Sequence, residues 1–202
     1  AVSGEGTAVL VLDAAPAVAP AAQSSRRGAR LSLLRLQLSG DGPEAIDVQE
    51  LVFRVRGADP QARVVVGRDT DGDGRLGPGD PILGSTAAAL GPEPVTVRVQ
   101  PDGLRVPAFG TTEVLVAIEL SGATPHAATF DAVFVPPETR AVGVGSGARS
   151  PLRFDAETVA SGPAATTVLG AGEAVSISEN PVRGGRVIFN FVEPPEVAAI
   201  CT

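Results

Sequence analysis

The amino-acid sequence predicts an all-β chain folded as an antiparallel sandwich of two sheets. Three observations carry this. Hydrophobic residues recur with a period of two in short runs, Gly (24) and Pro (18) interrupt the chain every few residues, and the intervals between them leave little room for an amphipathic helix of about 12 residues. A period of two places successive side chains on opposite faces, as a half-buried strand requires.

The predicted strands follow in order. Thr7–Asp13 is a Val/Leu run. Ala14–Ser25 is an Ala/Pro-rich connector, expected to be extended rather than helical because Pro16 and Pro20 interrupt it. Leu31–Leu38 alternates Leu34, Leu36 and Leu38 with Arg35 and Gln37. Val48–Arg56 sets Leu51, Phe53 and Val55 against Glu50, Arg54 and Arg56. Ala62–Gly67 and Pro81–Ala88 flank an acidic stretch. Val95–Val99, Glu113–Leu120 and Thr129–Val135 repeat the alternation with Val97, Val116 and Ala132 at or near their centres. About eight strands at intervals of roughly a dozen residues fit an Ig-like sandwich, although the paired cysteines and corner tyrosine of antibody domains are absent. Residues 1–171 are read as this sandwich. Residues 172–202 are read as C-terminal strands, led by Arg186–Val192, which are too few to bury a face alone.

Composition narrows the function. The chain has 202 residues, enough for one large domain with a real core. There is no Trp or Tyr and only 7 Phe, which removes the ring platforms that stack sugars or unpaired bases. A net charge of −7 repels phosphate backbones and anionic membranes. No nucleic-acid partner is therefore expected, no apolar run approaches the roughly 18 residues of a membrane span, and no small-molecule substrate is identified. Cys201 is the only cysteine, so no internal disulfide forms, and it reads as a small apolar strand residue. His126, the only histidine, reads as a turn residue, and zinc chemistry has no second His or Cys to use. No nucleophile elbow or paired-acid signature stands out, so the chain is not read as an enzyme.

One motif carries chemistry. Asp69–Asp80 matches a twelve-position calcium loop, with carboxylates at positions 1, 3 and 5 (Asp69, Asp71, Asp73), Gly74 at the sharp turn, the Arg75 carbonyl at position 7 and Asp80 at position 12. A hard dication takes 6 to 8 oxygens, and alternating Asp directs three carboxylates into one concavity. Asp80 is shorter than the usual Glu. The flanks read as strands, and Pro78 and Pro81 forbid an exiting helix. The expected role is a staple between two strands, holding Ca2+, rather than a switch. The overlapping Gly72–x–Gly74–x–x–Gly77 has no following helix, and its aspartates would repel a pyrophosphate.

Two stretches resemble known families. Val48–Ile118, with "LVFRV", "ARVVVGRDTDGDGRLGPGDPILGS" and "VPAFGTTEVLVAIEL", resembles a β-sandwich module of secreted and surface proteins of bacteria. That resemblance implies stalks, repeats or assembly units without activity of their own. The tail "ISENPVRGGRVIFNF" is similar to the start of the C-terminal sorting domain of type IX secretion cargo, with Glu179 where a Pro is usual. Both imply an extracellular or cell-surface location after removal of a signal peptide. The expected function is a structural subunit that self-associates by sharing strands, donated by the tail or by Thr7–Asp13, into a filament. The alternative is an adhesion, binding or stalk module of a larger secreted protein, with ligand contacts in a loop at Pro136–Gly147.

Overall fold

Alternating Leu, Val and Phe leave one face of each strand in need of cover, and two facing sheets supply it to one another. The computed structural model describes residues 8–17, 22–26, 28–57, 59–88, 94–100, 103–169, 174–177 and 189–192. Its strands are β1 (Val9–Pro16), β2 (Ala22–Arg26), β3 (Arg30–Asp41), β4 (Ile46–Arg56), β5 (Arg63–Gly67), β6 (Ile82–Ala87), β7 (Val95–Arg98) and β8 (Arg105–Val106). They continue as β9 (Thr111–Glu119), β10 (Ala127–Phe134), β11 (Arg140–Gly143), β12 (Leu152–Phe154), β13 (Val159–Ala160), β14 (Ala164–Leu169), β15 (Ala174–Ile177) and β16 (Phe189–Val192). A single 3-10 turn, Pro136–Glu138, is the only helical element among the described residues.

One sheet runs β12-β1-β3-β9-β5-β6 and the other β11-β4-β10-β14-β2, with β7, β8 and β13 added to it. The core lies between them. Leu34, Leu36 and Leu38 of β3 and Val114, Val116 and Ile118 of β9 meet Leu51, Phe53 and Val55 of β4 and Phe130 and Phe134 of β10, all buried in one cluster. The Phe53 and Phe134 rings lie 5.4 Å apart at a tilt of 36°. Burying each such side chain stabilises the fold by about 1.5–3 kcal/mol.

The predicted all-β sandwich is the observed architecture, with two refinements. Two ladders are parallel, β1 with β12 and β2 with β14. Parallel neighbours need long crossovers, and here over a hundred residues of sandwich lie between each pair, a distance no local pattern reveals. The connector is also more structured than expected. β1 extends to Pro16, and Ala22–Arg26 is a strand despite its small and polar residues. β1 has β12 on one edge and β3 on the other within the chain. Pro136–Gly147 is no open loop either, because the 3-10 turn and β11 occupy it and β11 pairs with β4.

The sheets are stitched together where β6 passes β7. Gly84 bridges Val99, and the Gln100 N–H donates to the Leu83 carbonyl at 2.8 Å. A Cβ on Gly84 would lie 2.4 Å from the Arg98 oxygen, so only glycine fits. β15 and β16 form a separate two-stranded antiparallel sheet. Of the strand expected at Arg186–Val192, Phe189–Val192 is observed; the remainder, and Cys201, lie outside the described residues.

Candidate metal centre

The acidic stretch is the hairpin between β5 and β6, and it folds back over the outer face of the first sheet. Leu76 anchors it. This side chain is buried against Val65 of β5 and Leu115 and Ala117 of β9, with Ile82 alongside, in a small second core. The Leu76 N–H donates to Ser32 Oγ at 3.1 Å. Ser32 faces outward because a register shift between Ser32 and Leu34 reverses the inside–outside alternation of β3. Arg30 adds a further tie, donating from Nη1 to the Gly77 carbonyl at 2.8 Å while pairing with Glu119 at 3.2 Å.

On this anchor the loop winds tightly. Gly72 and Gly74 adopt φ of +75° and +79°, the left-handed region in which a side chain is strained. The Asp69 carboxylate accepts the Gly72 N–H at 2.7 Å and the Gly74 N–H at 2.8 Å. The Asp71 carboxylate accepts from the Asp73 amide at 3.2 Å, and that of Asp73 from the Arg75 amide at 2.7 Å. As a result, oxygens of Asp69, Asp71 and Asp73 all lie within 4.8 Å of one another, with Asp71 and Asp73 exposed.

Asp80 has a different place. It is buried, and its oxygens accept the Thr70 N–H at 2.9 Å, the Thr70 hydroxyl at 2.6 Å and the Gly77 N–H at 2.7 Å. It latches the start of the loop to its last turn, and the group of three close carboxylates does not include it. Arg75 lies exposed on the rim.

The electrostatics reflect the crowding. Burial opposes the charge on Asp69, but the amides of Gly74 and Gly72 outweigh it and lower its pKa. For Asp71 the Asp73 amide favours the charged form. The hydrogen bond with Asp69, burial and the charges of Asp73 and Asp80 outweigh it, and the pKa rises. The hydroxyl and amide of Thr70, then the Gly77 amide and the Arg30 charge, hold Asp80 below the usual carboxylate range. The donor set is all oxygen, negatively charged and convergent, which fits a hard divalent cation.

A second hydrogen-bonded centre, built on one carboxylate, is not visible in the sequence pattern. Asp59, fully buried, accepts from the Gln61 N–H at 2.9 Å, the Ser121 N–H and Oγ at 2.8 Å each, and the Thr124 hydroxyl. It ties the β4–β5 link to the β9–β10 link. A single Asp beside a Pro carries no spacing signal, so only the fold reveals its partners. Its acceptors are filled by the chain itself, which makes it a structural clasp. His126 is exposed in the β9–β10 link, as a turn residue should be.

Fold and site together define a β-sandwich module bearing an acidic, sheet-anchored hairpin loop. No known protein family and no curated protein sequence matches the chain. Solved structures that resemble it include AvmM, described as catalyzing macrocyclization in alchivemycin A biosynthesis. It has a TM-score of 0.34 and 13% identity, over 75% of this chain and 86% of that one. Another is PapD-like (ASH) domain 7 of human CEP192, with a TM-score of 0.28 and 10% identity over 79% of this chain and 86% of that one. Likeness at this level transfers neither activity nor partner. Among the described residues, no helix is long and apolar enough to cross a membrane.

Proposed function

We infer that this chain is an extracellular structural module, stapled by one calcium ion in its β5–β6 hairpin, that self-associates through its C-terminal strands. The observation that carries the calcium assignment is the convergence of Asp69, Asp71 and Asp73 on a loop that Leu76 and Asp80 already lock to the sheet. Those three carboxylates and the Arg75 carbonyl would hold the cation, with Asp80 closing the loop. Bound there, the ion supplies positive charge that relieves the repulsion between the aspartates. With a dissociation constant a hundredfold below the ambient calcium concentration, binding adds about 2.7 kcal/mol to stability. The flanks are strands rather than movable helices, so the role is mechanical, and no catalytic step is assigned.

Self-association is supported by the β15–β16 ladder, which among the described residues pairs with no strand of either main sheet. Two strands do not bury a face by themselves, and an unpartnered ladder recruits a neighbour. Sedimentation velocity and electron microscopy with calcium or with chelator test both parts. Assembly with calcium is expected; a monodisperse particle near the chain's own 20.3 kDa under both conditions would overturn the self-association reading.

A further inference from the structure

Among the described residues only two large hydrophobic side chains are exposed, Phe109 at 73% and Val144 at 41%. They lie at the same pole of the sandwich. The Phe109 N–H donates to the Gly42 carbonyl at 3.1 Å and the Val144 N–H to the Ala45 carbonyl at 2.9 Å, so both flank the short β3–β4 link. Pro43, Pro107 and Ala108 are exposed beside them.

Phe109 is held there at a cost. Its φ is +51°, the only positive φ among described non-glycine residues. A bulky side chain in that region is an outlier, costing about 1–2 kcal/mol. The turn itself, closed by the Gly110 N–H to the Pro107 carbonyl at 3.0 Å, would form more easily with glycine. At 73% exposure the ring adds little to the packing of the described residues. The nearby carboxylates are already engaged within the chain. Glu44 accepts from the Gly145 and Ser146 amides and the Ser146 hydroxyl, and Asp41 pairs with Arg153 at 3.3 Å. The pole therefore presents apolar surface beside carboxylates that the chain itself already engages, with Asp41 and Arg153 more than half exposed at its edge, the pattern of an apolar centre with a polar rim.

The opposite pole is where the chain leaves the sandwich. Leu169, the end of β14, is in register with Arg26. Two residues on, the Gly28 N–H donates to the Leu120 carbonyl, at the end of β3 that starts at Arg30. Phe109 sits beyond the other end, at Asp41. β3 has 12 residues, so the poles are roughly 35–40 Å apart. The link from Leu169 to Ala174 reaches about 17 Å at most. The hairpin it leads to pairs Val175 with Phe191 and Ile177 with Phe189. By alternation these four positions share one face of the ladder. Residues 174–192 carry Arg183 and Arg186 against Glu179, a surplus of one positive charge in a chain of net −7, and the short link puts the far pole of a second copy, rather than its own, within reach of the ladder.

We propose that the pole formed by Phe109 and Val144 receives the Val175–Ile177–Phe189–Phe191 face of the β15–β16 hairpin of a second copy. The donor and acceptor lie at different ends of the chain. The contact is thus heterologous and head-to-tail, and it repeats without closing. This rests on the self-association reading above and adds the surface that accepts the tail.

The experiment uses the full chain with calcium, in sedimentation velocity over a concentration series. An acceptor variant carries Phe109→Ser and Val144→Ser, and a donor variant carries Phe189→Ser and Phe191→Ser. A third, Phe109→Gly, removes the ring and relieves the backbone, so its folding is secure. Thermal melts confirm that each variant is folded. The wild type is expected to form a ladder of multimers. Every variant should need at least roughly tenfold more protein to associate, the loss typical of a central aromatic anchor. An equimolar mixture of acceptor and donor variants should stop at dimers, since each supplies one working end. If Phe109→Gly and the acceptor variant assemble like the wild type while the donor variant does not, the acceptor surface is wrong and the tail reading stands. A wild type that stays monomeric at every concentration removes both.

Discussion

Truncating Leu76 separates a loop that is built onto the sheet from one that merely hangs from it. Leu76→Ala deletes three carbon groups from a side chain buried against Val65, Leu115 and Ala117. At about 0.8 kcal/mol per group the transfer loss is about 2.4 kcal/mol. The satellite core lies on the outer face, where neighbours can collapse, so the cavity contribution is small and the total is about 2.5–3 kcal/mol, at the low end for such truncations. At roughly 2–4 °C per kcal/mol for a domain of this size, the melting temperature falls by about 5–12 °C. The hydrogen bond from the Leu76 N–H to Ser32 would be held less firmly, and the aspartates would have to be ordered on binding. Calcium affinity should therefore drop by about tenfold, equivalent to about 1.4 kcal/mol. Denaturant melts with chelator give the first number, and a calcium titration gives the second. A loss below about 1 kcal/mol together with unchanged affinity would refute the claim that the sheet preorganises the loop.

Further outcomes follow from the same geometry. Asp59→Asn replaces an acceptor of four donors with a group that must itself donate, and should cost about 2–4 kcal/mol in a denaturant melt. Burial opposes the Asp59 charge, but Thr124, Ser121 and Gln61 outweigh it and depress its pKa. Its folded-state pKa is thus below the unfolded value near 3.9. The stabilisation is complete above about pH 4 and is lost as pH falls through the folded-state value. The wild type should lose stability there more steeply than Asp59→Asn, and parallel acid-denaturation curves would argue against the clasp. Gly84→Ala forces a methyl onto the Arg98 carbonyl and should cost about 1–3 kcal/mol or more. Gly74→Ala meets no atom within 4 Å, so its cost of about 1–2 kcal/mol is conformational and falls on the loop. Equal melting temperatures for wild type and either glycine variant would remove the corresponding argument.

Much of the fold could be read directly from the chain. Strands with three or more alternating apolar residues, such as Leu34–Leu38 or Phe130–Phe134, announce themselves because one face must be dry. β2, β8, β11, β12 and β13 do not. They are short or built from Ala, Ser, Gly and Arg, and pairing partners far along the chain define them rather than any period. The loop's aspartates and Gly74 were legible because their spacing matches a calcium-loop pattern. The latch role of Asp80 was not, since position 12 predicts a ligand and only the fold brings Thr70 and Gly77 to its oxygens. Leu76 fits the expected apolar position, yet its target on the outer face depends on the β3 bulge, which leaves no mark in hydrophobic patterning.

The most direct test of the account is a calorimetric titration of calcium into chelator-treated protein, paired with a thermal melt. One ion should bind per chain and, at hundredfold excess over the dissociation constant, raise stability by about 2.7 kcal/mol. Both effects should vanish in a variant carrying Asp69→Asn and Asp73→Asn. Absence of binding heat together with an unchanged melting temperature in the wild-type chain would contradict it.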